Sequence, residues 1–266
     1  MTIAAALLCT DGVVVCADTN QEVPNFTKVN QGKIRSFVNG KDGYVFTGAG
    51  DADLIEFAMD EIVQGIMRRK SKLKLSECRA FLLVRAKNIF SDHIEPYALF
   101  PAEERPSMNL LASMQIDGKT RVFKINNTLV TEARDHISIG IGNSVATGLI
   151  DRYFRGQFAI AQFTPEITLA GNSARLPMST TARLGAYLLE SVKTYVPGCG
   201  GYTEIIEQGF DGTTRAYYAS EWMHGFPVLD EAITSILYTV LGEDECDAVL
   251  GKMEAYLQGV RKFFRS

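Results

Sequence analysis

Histidine is scarce: the three copies, His93, His136 and His224, lie far apart in 266 residues. No metal-ligand spacing can be built from them, so neither a metal nor a cofactor is expected. Cysteine is also sparse. Its five copies, Cys9, Cys16, Cys78, Cys199 and Cys246, are odd in number and contain no CxxC pair. That pattern argues for reduced thiols and a cytoplasmic-type compartment. A basic excess is missing too: 27 Lys and Arg stand against 31 Asp and Glu, a net charge of -4. Nucleic acid and anionic membranes are thereby excluded as main partners. No apolar run is long enough to span a bilayer. The apolar run from Ile3 to Cys9 has no preceding Lys or Arg and stops at Asp11-Gly12, so a strand is expected there and not an export signal. Repeats, low-complexity tracts and long linkers are absent as well.

What is present is the composition of an ordinary soluble globular chain, 46% hydrophobic and 22% charged, enough for one sizeable core. Thr2–Leu8 and Val13–Ala17 are apolar runs separated by Asp11-Gly12, which predicts a β-hairpin with a type I′ turn at the start of the chain. Asp-Gly pairs recur at Asp42, Asp117 and Asp211. Strands are predicted at Gly43–Thr47, Leu110–Met114, Arg121–Ile125 and Tyr202–Ile206, in mostly antiparallel sheets.

Helical spacing links Leu54, Ile55, Ala58, Met59, Ile62 and Ile66, with Asp51 and Asp53 at the dipole's positive end. A second helix is expected after an N-cap at Ser76, running through Phe90. A third should follow Gly142, and a fourth runs from Thr180 to Val192. Two apolar stripes, Val228–Val240 and Cys246–Val260, predict a C-terminal helical pair. Arg155–Arg175 carries the weakest pattern. Paired helices flanked by groups of strands point to helix and sheet layers, without βαβ alternation.

Thr2 is the chemical candidate. Removal of Met1 would place a hydroxyl and a free α-amine on one residue, and an amine of pKa about 7.7–8.0 can take the hydroxyl proton. Met-Thr at a chain start is in itself unspecific. The order of fragments that follows is more informative: Thr2-Ile3-Ala4 up to Asp11-Gly12 and Ala17-Asp18, Gly32-Lys33-Ile34, Phe46-Thr47-Gly48-Ala49-Gly50-Asp51, Gly140-Ile141-Gly142-Asn143, and Gly200-Gly201. Taken together they resemble the proteasome β subunits and the bacterial HslV protease, N-terminal-nucleophile (Ntn) hydrolases.

That resemblance implies an α+β fold, a four-layer αββα sandwich over residues 1–220, with residues 221–266 as an added helical extension. It implies a threonine-type peptidase or amidase. In that scheme Thr2 is the nucleophile, Lys33 a cation beside it, Asp18 the partner of Lys33, and Gly48 the backbone donor to the oxyanion. Lys28 is a rival for the lysine; the bland reading of Asp18 and Lys33 is an ordinary strand-end ion pair. The implied partners are a peptide or amide substrate and further copies of the chain in a ring-like homo-oligomer; a partner ATPase is unspecified. Three places depart from the family pattern: Ile141, Val196 and Cys199 stand where polar supports of the amine belong. A non-catalytic scaffold subunit and a small-molecule Ntn amidase are the alternatives. Neither glycine-rich turn completes a dinucleotide fingerprint, and no P-loop occurs.

Overall fold

The computed structural model describes residues 2–23, 27–101, 104–150 and 175–219. Within them the chain opens with β1 (Ile3–Leu8) and β2 (Gly12–Asp18), followed by a small hairpin, β3 (Asn20–Val23) and β4 (Thr27–Asn30). β5 (Ile34–Asn39) and β6 (Asp42–Gly50) lead into α1 (Ala52–Met67) and α2 (Cys78–His93). β7 (Met108–Ile116), β8 (Lys119–Asn126), β9 (Leu129–Glu132) and β10 (His136–Gly140) follow. A helix over 143–150, here α3, is described next. Then come α4 (Met178–Tyr195), β11 (Thr203–Gly209) and β12 (Thr214–Tyr218).

Two antiparallel five-stranded sheets result, ordered β10-β1-β2-β11-β12 and β5-β6-β7-β8-β9. Three apolar clusters show how they stack. Tyr44, Phe46, Leu110 and Phe123 of the second sheet pack on Ile62 of α1 and Leu82 of α2. Ile3, Leu7 and Val14 of the first sheet pack on Val145 of α3 and Leu188 and Val192 of α4. Ala4, Ala6, Val15, Val45, Leu111 and Ile206 fill the space between the sheets. The order is helix, sheet, sheet, helix: the αββα sandwich expected from the sequence. β1 and β2 are buried at every position, which is why they read as unbroken apolar runs and not as alternation.

Two local expectations are corrected. Asp11-Gly12 is not a type I′ turn. Leu8 pairs with Val13, the Cys9 N–H donates to the Gly12 carbonyl (2.8 Å), and the Asp11 carboxylate accepts the Met178 N–H (2.8 Å) at the start of α4. Asp11 is spent on tying a helix to the hairpin. The two-residue turn with positive φ at both positions is Asp117-Gly118 (52° and 73°), between the paired Ile116 and Lys119. Ser76 does not cap α2; it lies inside the 3-10 turn Leu75–Glu77 that precedes the helix. The stripes at Val228–Val260, the extension 221–266 and nearly all of Arg155–Arg175 lie outside the described residues.

Candidate active site

Thr2 immediately precedes β1, a strand held on both sides, by β10 and by β2. Its carbonyl accepts the Ile141 N–H (3.0 Å). That contact requires Gly140: its φ is +94°, and a Cβ there would stand 1.9 Å from the Thr2 oxygen. Only glycine lets β10 run so close to the start of the chain.

Asp18, the last residue of β2, is fully buried. Its Oδ1 accepts the Ile3 N–H (3.1 Å) and a Lys33 proton (2.9 Å). Its Oδ2 accepts the Gly200 N–H (3.0 Å). A buried carboxylate with several donors is a charge-satisfied group. Lys33 comes from the segment between β4 and β5. Its Nζ donates to Thr2 Oγ1 (2.9 Å), to Asp18 Oδ1 (2.9 Å) and to the Asn20 carbonyl (2.5 Å). An ammonium has three protons, and these are three acceptors. Burial pulls the Lys33 pKa below its ordinary value, and the Asp18 charge opposes that pull. Thr2, Asp18 and Lys33 are thus brought together in one hydrogen-bonded cluster. Lys28 lies in β4, opposite Glu22; its side chain is outside the described residues.

Gly48 lies across from this cluster. β5 and β6 pair without a bulge from Asn39 opposite Asp42 to Ile34 opposite Thr47. The two-residue loop Gly40-Lys41 makes Asn39 and Asp42 a hydrogen-bonded pair, so the even positions of β6 present their N–H toward β5. The Asp51 N–H, on the odd set, donates to the Ser107 carbonyl just before β7 (2.9 Å), as this alternation requires. Gly48 therefore aims its N–H at the β5 side, one position past the last pair, where Lys33 lies. Its missing Cβ matters for packing: one would stand 2.4 Å from Ile55 Cγ2 of α1. A cavity of about 410 Å³ opens here, lined by Thr2, Lys33, Arg35, Gly48, Asp53 and Met59 among others. On its wall Arg35 pairs with Glu56 and with Asp60 (2.8 Å), both on α1.

The three departures have a structural reason. Val196 (1% exposed) and Cys199 (8% exposed) belong to the core beneath β1, with Ile3 and Val192. Burial, then the Asp18 charge, pushes the Cys199 thiol up to about 12, so it is a neutral filler and not a nucleophile. Ile141 contributes its backbone N–H, and its side chain is exposed. Apolar packing occupies the place of a polar network.

Two contributors escaped the sequence reading. The Asn20 carbonyl is invisible to any motif, because a backbone acceptor carries no side-chain signature. Glu204 accepts the Lys33 and Ile34 N–H groups (3.1 and 3.2 Å). Its signal was an acid inside the predicted strand Tyr202–Ile206, on the same face as the buried Ile206. Among the described residues no group of three or more His, Cys, Asp or Glu could hold a metal ion, and no helix is long and apolar enough to cross a membrane.

No family model matches the sequence, and no curated protein sequence matches it. Solved structures do match. An Anbu (Gly-1) mutant from Hyphomicrobium sp. strain MC1 shares 15% identity at a TM-score of 0.67, over 91% of this chain and 97% of that one. Anbu from Yersinia bercovieri, described as an ancestral β-subunit, shares 15% at 0.66 with the same coverage. The Pseudomonas aeruginosa Anbu complex, described as a helical assembly, shares 14% at 0.65, over 90% and 95%. Such identities establish the fold alone. The resemblance to proteasome β subunits and HslV drawn from sequence fragments is corrected accordingly: the matching structures named here are Anbu proteins and not HslV, and they show that the chain shares their fold.

Proposed function

We propose that this protein is an N-terminal threonine hydrolase of amide bonds, with Thr2 as nucleophile once Met1 is removed. The observation that carries the reading is the 2.9 Å bond from Lys33 Nζ to Thr2 Oγ1. Because Oγ1 accepts from the ammonium, its own proton is free to leave toward the α-amine of Thr2, directly or through a water. The Lys33 charge then stabilises the developing alkoxide. Asp18, fixed by the Ile3 and Gly200 N–H groups, holds Lys33 in place. The Gly48 N–H is the oxyanion donor of this scheme. An acyl ester forms on Thr2, the amine leaves with the proton, and water hydrolyses the ester. Peptides are the preferred substrate class, since the cavity beside Thr2 is open to residues of α1 that can receive a side chain.

The same reading extends to assembly. The described helical assembly of the Pseudomonas Anbu complex supports a homo-oligomer for this chain, tested by sedimentation at micromolar concentration. A single-chain mass there overturns it.

A scaffold reading keeps a foothold because Val196 and Cys199 leave an apolar wall behind β1. Turnover of a peptide series by the protein lacking Met1, and by its Thr2→Ala variant, decides between them. Hydrolysis by the first and none by the second supports the enzyme; no turnover by either supports the scaffold.

A further inference from the structure

We propose that Glu204 is a positioning residue for Lys33: from β11 its carboxylate clamps the Lys33 and Ile34 backbone, and so holds the lysine amine on Thr2 and Asp18. The inference rests on the proposed function only for its catalytic consequence. Its geometric part stands apart.

The observations run from the backbone outward. Lys33 lies outside any strand, one residue before β5, and β5 is an edge strand of the second sheet. Asp18 ends a strand of the first sheet, and Thr2 immediately precedes another. Something must hold a loop residue of one sheet in register with two residues at the other. Glu204 does so. Its own backbone is locked between Ala17 of β2 and Tyr218 of β12, one position from Asp18. Its Oε2 accepts both the Lys33 and the Ile34 N–H. Gly32 makes room, since a Cβ there would sit 3.3 Å from that oxygen. Bonds from backbone N–H to a carboxylate are charge-assisted and stronger than neutral ones. A long lysine side chain loses rotamer entropy when held, so a loose main chain would let its three contacts dissolve.

A plain brace between the sheets is the competing account. Ser113 of β7 and Gln208 of β11 already form such a brace (2.6 Å), away from Thr2. It supplies the control.

The test follows the Lys33 amine by NMR titration of the full-length protein carrying Cε-labelled lysine, in Glu204→Ala, Glu204→Gln and Ser113→Ala. Asp18, Cys199 and Lys193 act on the same amine and stay unchanged in all three. Glu204→Ala should shift the Lys33 titration upward, toward the ordinary 10.5, as the amine leaves its buried contacts. Glu204→Gln, which keeps an acceptor oxygen at the same reach, should restore most of the wild-type curve. Ser113→Ala should leave it in place. If Glu204→Ala does not fold, Glu204→Asp replaces it, and the shorter reach should produce the upward shift. An unmoved Lys33 titration in the folded Ala or Asp variant overturns the clamp, as does an equal shift in Ser113→Ala. Activity is read separately. With a turning-over wild type, Glu204→Ala should lower kcat by about 10²-fold, as expected for an ångström-scale misplacement, with KM little changed. If Thr2→Ala proves no less active than wild type, the function reading fails and the titration still decides the clamp.

Discussion

Lys33 Nζ stands 2.9 Å from Thr2 Oγ1 and 2.9 Å from Asp18 Oδ1, so one ammonium joins the candidate nucleophile to a fully buried carboxylate. Groups linked in this way act as a unit. Thr2→Ala and Lys33→Ala should each remove most of the turnover, and the double variant should be little worse than either single one. Multiplicative losses in steady-state kinetics would mean that the two side chains act independently.

Asp18 also carries the fold locally. Its carboxylate accepts Ile3, Gly200 and Lys33. Asp18→Ala leaves the Lys33 charge without its partner and two backbone donors unmatched. Removing one member of a buried pair costs about 3–5 kcal/mol. Chemical denaturation should show a loss of that order, with a smaller loss for Asp18→Asn, which keeps an acceptor.

Glu204 gives a pH signature of known sign. Burial raises its pKa above the ordinary 4.5, more than the Ile34 and Lys33 N–H groups lower it. The native state therefore holds its proton to higher pH than the unfolded chain does. The stability that this group contributes is full below 4.5 and is lost as pH rises through the raised native value. The wild-type minus Glu204→Gln difference in unfolding free energy should fall across that window. A flat difference curve would show that burial does not govern this carboxyl.

Restoring acid and hydroxyl with Val196→Asp and Cys199→Ser should not build a polar network. Val196 sits in a core with Ile3 and Val192, and an unpaired carboxylate there costs several kcal/mol. Thermal unfolding should show a large drop in Tm, driven by Val196→Asp alone. A stable double variant with raised turnover would mean that the space behind β1 admits an ion.

The strands and helices were legible because their causes are local, whereas their stacking as a four-layer sandwich came from the family resemblance. Apolar runs such as Val13–Ala17 exclude water on both faces, and Leu54–Ile66 keeps helical spacing. The turns were less so: Asp11 is claimed by the α4 backbone at Met178, a contact 167 residues away that no dipeptide announces. Thr2, Asp18, Lys33 and Gly48 could be named from the family resemblance of the fragments that hold them; Thr2, Lys33 and Gly48 line one cavity, and Asp18 lies buried behind Lys33. Glu204 could not be named this way, since it meets Lys33 only through the pairing of β11 with β2 and the approach of two sheets; the Asn20 carbonyl could not, since it is a backbone acceptor. The same fragments named too close a relative, because short turns and strand ends specify a fold far better than a lineage.

The central claim is that Thr2 is a nucleophile. The most direct measurement is the intact mass of protein from its native host, before and after a threonine-directed electrophile. The account predicts a mass lacking Met1 and one adduct per chain, mapped to Thr2 and lost in Lys33→Ala. A mass that retains Met1, or a chain that takes up no electrophile, contradicts it.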